Sequence, residues 1–231
     1  MIATTNSLSP TIQQLLDEGK LLLIDKPAGK TSHDIVNQVR RQTGVKRVGH
    51  AGTLDPLATG LLLVLVGREA TRHQDELMGL DKEYLFTAAL GYETDTYDSD
   101  GTVVQSWPWE QVKSLSRSDI ELAAQQFVGK YDQQAPAFSA IKQHGQKLYQ
   151  LARKHQEMEL PVRRVRIHEL EVTAFSVDDT QQTAQFSARV RCGSGTYIRS
   201  LAVDIGRKLG VGATVTALRR TKIGPFALQE Y

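Results

Sequence analysis

The chain has 231 residues, a length that suits one large domain or one domain with a small appendage. A composition of 40% hydrophobic and 23% charged residues excludes a collagen, a disordered chain and a coiled coil. The formal net charge of +2 points to no partner by itself.

The longest apolar run, Leu61 to Val66, is far short of the roughly 20 residues that cross a bilayer, so no membrane partner is expected. The opening MIATTNSLSP lacks a basic segment followed by an apolar core, so no secretory signal is expected. Cys192 is the single cysteine, which excludes an internal disulfide and a cysteine-based zinc site. A reducing, cytoplasmic setting is the expectation.

In chain order, the first 20 residues form an extension, either a short capping helix or partly disordered. Leu21 to Ile24 is a short apolar run that predicts a buried strand. Thr31-Ser32 then offers an N-cap, Ile35, Val36 and Val39 recur at helical spacing, and Gly44 can close that helix. Leu61 to Val66 predicts a second buried strand, and residues 84–90 a third ending at Gly91. Residues 95–101, DTYDSDG, read as a turn. Ser118 with Glu121 predicts a capping box for a helix stopped by Gly129. Phe186, Ala188, Val190 and Cys192 alternate with polar and basic residues, which predicts a strand with one core face. Residues 197–209 predict a helix between Gly195 and Gly210. Strands and helices do not alternate strictly, so the fold class expected is α+β, with a mixed sheet and flanking helices. The polar, basic stretch 132–161 is the best candidate for an excursion from that sheet.

Charge is unevenly spread. Segment 189–222 carries eight basic residues against Asp204 alone, and 40–47 adds Arg40, Arg41, Lys46 and Arg47 with no acid. Segment 81–110 carries seven acidic residues against Lys82. Basic segments gathered on one face would suit a polyanion; spread over the surface they would only solvate it.

Several motifs fail. Gly29-Lys30-Thr31 lacks the earlier glycine of a P-loop, since position 24 is Ile. Gly193-Ser194-Gly195 lacks the third glycine of a dinucleotide fingerprint, and no serine sits in a Gly-x-Ser-x-Gly elbow. The six histidines have no metal spacing, so neither a metal nor a nucleotide cofactor is expected. What remains is the loop 49–60, GHAGTLDPLATG, on the rim of the strand 61–66. It surrounds one carboxylate, Asp55, which Pro56 biases away from helical backbone. Asp55 either closes an Asx-type turn or works as a nucleophile or base held ionised by a cation from elsewhere.

The loop GHAGTLDPLATG resembles the catalytic loop of the bacterial tRNA pseudouridine synthase (TruB) family, which modifies the T-loop uridine at tRNA position 55. LLLIDKPAGKTSHDIVNQVRR at 21–41 and KEYLFTAALGYETDTYDSDG at 82–101 resemble two more of its motifs. PAFSAIKQHGQKLYQLARK at 136–154, CGSGTYIRSLAVDIG at 192–206 and ALRRTKIGPF at 217–226 resemble the rest, in family order. The resemblance implies a pseudouridine synthase fold over 21–231, with a mixed, largely antiparallel sheet crossed by the catalytic cleft. It makes Asp55 the catalytic aspartate, Tyr84 the tyrosine stacking on the target base, and Arg199 the arginine paired with the aspartate. Tyr197 becomes a neighbouring pocket tyrosine, His50 the histidine that helps displace the flipped nucleotide, and Leu218 an apolar wall of the uracil pocket. Lys26 and Pro27 belong to the first motif, which braces the catalytic region.

The reaction has no net redox change, and a base that must leave its stack needs an aromatic platform and an apolar wall. The expected partner is tRNA, through its T-arm stem-loop, bound by a monomer. Arg40, Arg41, Arg219 and Arg220 are the candidates for the RNA backbone. Segments 40–47, 132–166 and 189–222 would line a basic track, with 132–161 covering the RNA and the acidic stretch 93–100 facing away. Family members carry a small C-terminal RNA-binding domain after the last motif; this sequence ends at Tyr231, so that domain is expected to be absent. An alternative keeps the fold as a tRNA-binding or folding module with weak or no catalysis.

Overall fold

The computed structural model describes residues 9–139, 141–143, 146–152 and 158–228. The chain divides into two compact units. One runs up to Leu85 and resumes at Leu218; the other is Phe86–Ala217.

The first unit opens with α1 (Pro10–Asp17), capped by the Ser9 hydroxyl, with Pro10 pre-set for a first helical position and Ile12 and Leu15 buried. Then come β1 (Leu21–Lys26), α2 (Ser32–Thr43), β2 (Val48–Ala51) and β3 (Thr59–Val66). Helix α2 has the expected signals. Thr31 and Asp34 form a reciprocal capping box, and Gly44 ends the helix in the left-handed conformation at φ 69°. Short helices α3 (Gly67–Thr71) and α4 (Gln74–Gly79) lead into β4 (Lys82–Leu90), which passes into the second unit.

The second unit continues with β5 (Tyr92–Thr94), β6 (Val103–Ser106), α5 (Trp109–Lys113) and α6 (Arg117–Gln125). Next are β7 (Gly129–Gln134), β8 (Lys142–Gln143), β9 (Gln146–Lys147) and α7 (Leu148–Ala152). It ends with β10 (Val162–Asp178), β11 (Thr183–Cys192), α8 (Ile198–Lys208) and the first half of β12 (Ala213–Ile223). The second half of β12 returns to the first unit, where β13 (Phe226–Ala227) folds back on it.

In the first unit the strand order is β1-β3-β12, with β2 also on β3. β1 and β2 pair antiparallel with β3, and β12 pairs parallel with it. A core of Ile12, Leu15, Leu21, Leu61, Leu63, Leu65, Leu77, Ile223 and Phe226 lies against this sheet. In the second unit the order is β12-β4-β11-β10-β7, with β10 antiparallel to both neighbours. Strand β11 buries Ala184, Phe186, Ala188, Val190 and Cys192, as the alternation predicts, and Phe86 meets Phe186 edge to face at 5.8 Å. The sheet is mixed, and the class is α+β.

Several elements differ from the sequence expectation. Strand β3 starts two residues earlier than Leu61, and Val48–Ala51 is a strand rather than loop. The capping box of α6 is Ser116 with Asp119, two residues before the pair expected. Gly129 begins β7 instead of ending a helix. The expected excursion 132–161 therefore contributes its first residues to the sheet edge. Residues 1–8, 140, 144–145 and 153–157 of the extension and the excursion lie outside the described residues.

The basic excess of 189–222 is largely paired. Arg189 meets Glu171 at 2.6 Å and Arg191 meets Glu169 at 2.7 Å across β10 and β11. Arg207 grips buried Glu93 with two nitrogens, at 3.0 and 2.7 Å. Arg199 lies 3.4 Å from Asp98, and both are buried. Glu93 and Asp98, within the acidic stretch expected to face away from RNA, are buried partners of the basic segment, because a desolvated carboxylate needs a cation.

Candidate active site

In the first unit the loop 52–58 between β2 and β3 carries Asp55, which is half-buried. Its neighbours on both sides are tied to the turn after β1. Leu54 N–H donates to the Ser32 hydroxyl at 2.8 Å, and that hydroxyl donates to Leu54 C=O at 3.1 Å. On the other side, Pro56 C=O accepts from Gly29 N–H at 2.9 Å and from Lys26 Nζ at 3.2 Å. Ala58 N–H closes a tight turn onto Asp55 C=O at 3.1 Å. The backbone is therefore pinned immediately before and after Asp55.

Lys26 is fully buried, and Nζ spends its three donors on Pro27 C=O (2.9 Å), Lys30 C=O (2.6 Å) and Pro56 C=O. Burial lowers its pKa; the nearby Asp55 carboxylate works against that, and Arg220 adds to it. Pro27 supplies one of those carbonyls. The first motif therefore braces the Asp55 loop through Lys26, Gly29 and Ser32. Ser32 is a site residue that sequence reasoning treated only as a possible cap.

Arg220 has a different part from the one expected. It is 1% exposed, and its guanidinium donates to Leu61 C=O (2.8 Å) and Gly52 C=O (3.0 Å). A side chain so enclosed cannot touch an RNA phosphate; it holds the two ends of the catalytic loop. Lys26 and Arg220 both lie in register with Gly60, on opposite sides of β3. Gly60 has φ 99°, and a Cβ there would stand 2.2 Å from Arg220 C=O, so only glycine allows β12 to come this close.

Arg40 is likewise a strut. Nη2 donates to Val48 C=O and Nη1 to Asn37 Oδ1, both at 3.0 Å, which ties α2 to β2. Arg41 is exposed on α2. Arg219 is partly exposed and makes a two-pronged pair with Asp25, at 2.7 and 3.0 Å. Of the four arginines expected on RNA, Arg220 is enclosed, Arg41 is exposed, and Arg40 and Arg219 are partly exposed.

His50 lies on β2, where burial first, then the Arg220 and His33 charges, lower its pKa and favour the neutral ring. Tyr84 is buried on β4, and Leu218 is buried on β12, whose C=O accepts from Thr59 at the start of β3. The Thr221 hydroxyl of β12 donates to Glu83 C=O and to its carboxylate. Strand β12 thus joins the end of the Asp55 loop to the β4 segment bearing Tyr84. Lys26, Pro27, His50, Asp55, Tyr84 and Leu218 all belong to the first unit.

Tyr197 and Arg199 stand in the second unit, at the start of α8. Arg199 donates from Nη1 to Thr96 C=O (2.6 Å) and from Nη2 to Phe138 C=O (2.9 Å). Among the described residues no cluster of His, Cys, Asp and Glu could hold a metal ion. No described helix is long and apolar enough to cross a membrane.

The chain is 44% identical to tRNA pseudouridine synthase B of Opitutus terrae over 91% of its length and 83% of that protein. It is 44% identical to the protein of that name from Thermobifida fusca, over 91% of this chain and 71% of the relative. Among solved structures, one of a Cbf5–Nop10–Gar1 complex matches 99% of this chain at 26% identity and a TM-score of 0.66; this chain spans 57% of the matched one. Residues 199–231 match a family model described as the tRNA pseudouridylate synthase B C-terminal domain. Residues 40–198 match the model of the N-terminal domain of TruB family pseudouridylate synthases. With that match and those identities, the chain belongs to the TruB family of pseudouridylate synthases.

Proposed function

We propose that this chain is a tRNA pseudouridine synthase, an isomerase acting on the T-loop uridine at position 55. The observation that carries the reading is the pinned loop: hydrogen bonds at Leu54 and Pro56 fix the backbone on either side of Asp55 and so the point from which its carboxyl extends. Relatives that cover most of this chain are named tRNA pseudouridine synthase B. The reaction breaks N1–C1′, turns the uracil and forms C5–C1′; N1 gains a proton and C5 gives one to solvent. Nothing is oxidised or reduced, so a carboxylate with positioned neighbours is the chemistry required. The target base must first leave its stack, and Tyr84 and Leu218 are suitable types for a platform and a wall. His50, kept neutral, suits insertion beside a displaced nucleotide better than a charged ring would. Tyr197 and Arg199 are assigned to the same chemistry on their sequence match alone.

Tritium release from C5-labelled uridine in a T-arm hairpin tests the reading. Stoichiometric release is expected from this chain. Tight hairpin binding without release would instead mean a tRNA-binding module.

Binding should draw on phosphate contacts, and the exposed arginines are where to look. Arg41→Gln and Arg219→Gln are each expected to lower hairpin affinity and to flatten the slope of log K against log salt by about 0.7–0.9 for each phosphate no longer neutralised. The uridine chosen should not change, since phosphate contacts position without reading sequence. Salt titrations of the wild type and both variants check this, and a shifted modification site would contradict it.

A further inference from the structure

We infer that Gln133 is a positioning residue of the synthase reaction, its side-chain amide fixing the entry of α8 and with it Tyr197 and Arg199. The inference rests on the function proposed above.

Gln133 is the single buried residue of β7, 1% exposed in a strand whose other residues are at least partly open. A buried amide is costly unless both its ends are bonded. Here both are, and to the same residue. Oε1 accepts from Tyr197 N–H at 2.8 Å, and Nε2 donates to Tyr197 C=O at 3.0 Å. These two bonds settle which end of the amide is oxygen. Nε2 also donates to the Tyr131 hydroxyl.

Tyr197 is the N-cap of α8, with extended backbone at φ −98° and ψ 112°, and no side chain caps the helix locally. Its C=O already accepts the first helical bond, from Leu201 N–H at 3.0 Å. Gln133 therefore does from another strand what a Ser or Asp at the N-cap does locally: it sets where the helix begins. Arg199 follows two residues later. The same stretch of chain then reaches the guanidinium itself, because Phe138 C=O accepts from Arg199 Nη2. Residues 133–138 thus hold both the backbone that aims Arg199 and one of its donors.

A second tie runs from the same amide to the middle of α8. The Tyr131 hydroxyl also bonds Asp204, whose pKa burial pushes up to about 6, while burial raises the Tyr131 phenol as well. Arg207 and Glu93 are the other charged groups acting on Asp204, in opposite directions.

The test is a double-mutant cycle read by tritium release from the T-arm hairpin at saturation, with hairpin Kd and thermal midpoint measured in parallel. Gln133→Met keeps the length and removes all three bonds. It is expected to lower kcat by about 100-fold, the order of loss that follows a small misplacement of a reacting group. Hairpin Kd should stay within about three-fold. In an Arg199→Lys background the same change should cost less than about three-fold, because the group being positioned has already been spoiled. Gln133→Asn keeps the amide but shortens its reach by one methylene, and it carries the same cycle if Gln133→Met melts below the assay temperature. Equal costs in both backgrounds, kcat within about three-fold of wild type, or an unimpaired Arg199→Lys would overturn the inference. A wild-type chain without tritium release would overturn the proposed function instead, and this inference with it.

Discussion

Asp55→Asn is expected to release no tritium above background, a loss of about four orders of magnitude or more, while hairpin Kd stays within a few-fold. Asn fills the same space and leaves the bonds at Leu54 and Pro56 untouched, since those are made by backbone groups. What it removes is the ionised oxygen that can attack or take a proton, and removing the reacting group costs far more than removing a supporting hydrogen bond. Hairpin binding measured beside the release assay separates the two effects. Residual turnover within 100-fold of wild type would remove Asp55 from its assigned role.

Arg220→Met is expected to act on stability instead. The variant removes the donors that the 1% exposed Arg220 gives to the carbonyls of buried Leu61 and partly buried Gly52. Each buried group left unpaired costs about 1–3 kcal/mol, part of which is recovered because a buried charge disappears. A net loss of about 2–4 kcal/mol is a large share of the roughly 5–15 kcal/mol that holds a domain folded. Urea unfolding should show a lower midpoint at unchanged slope. Arg219→Gln, at the adjacent position but partly exposed, should leave stability within about 0.5 kcal/mol of wild type. If Arg220→Met kept its midpoint and bound the hairpin more weakly, Arg220 would be an RNA contact after all.

Adjacent arginines with opposite parts mark the limit of what the sequence makes legible. Helix α2 is readable because its signals are local: Thr31, Asp34 and Gly44 sit at its own ends. Strand β11 is readable because its burial alternates without interruption. Strand β10 is not, although it has 17 residues. Its register with β11 shifts between Ile167 and Glu169 and again between Val172 and Ala174, so its buried positions fall out of phase. Strand β7 hides for another reason, since the residue it buries is a glutamine whose partner lies 64 positions away. Arg220 is the extreme case, with acceptors 159 and 168 positions distant. The Asp55 loop is legible as a resemblance, while its clamps through Ser32 and Gly29 appear only in three dimensions, because a serine after a cap and a glycine in a turn have ordinary local explanations.

The buried ammonium of Lys26 also makes the floor of the site chemically silent. An amine-reactive reagent needs a deprotonated, accessible nitrogen, and this one is enclosed with all three of its donors engaged. Exposed lysines such as Lys30 and Lys46 are open to the same reagent. Acylation at position 26 therefore requires the turn after β1 to part from the Asp55 loop, so its rate under native conditions is a clock for local opening beneath the reacting carboxylate.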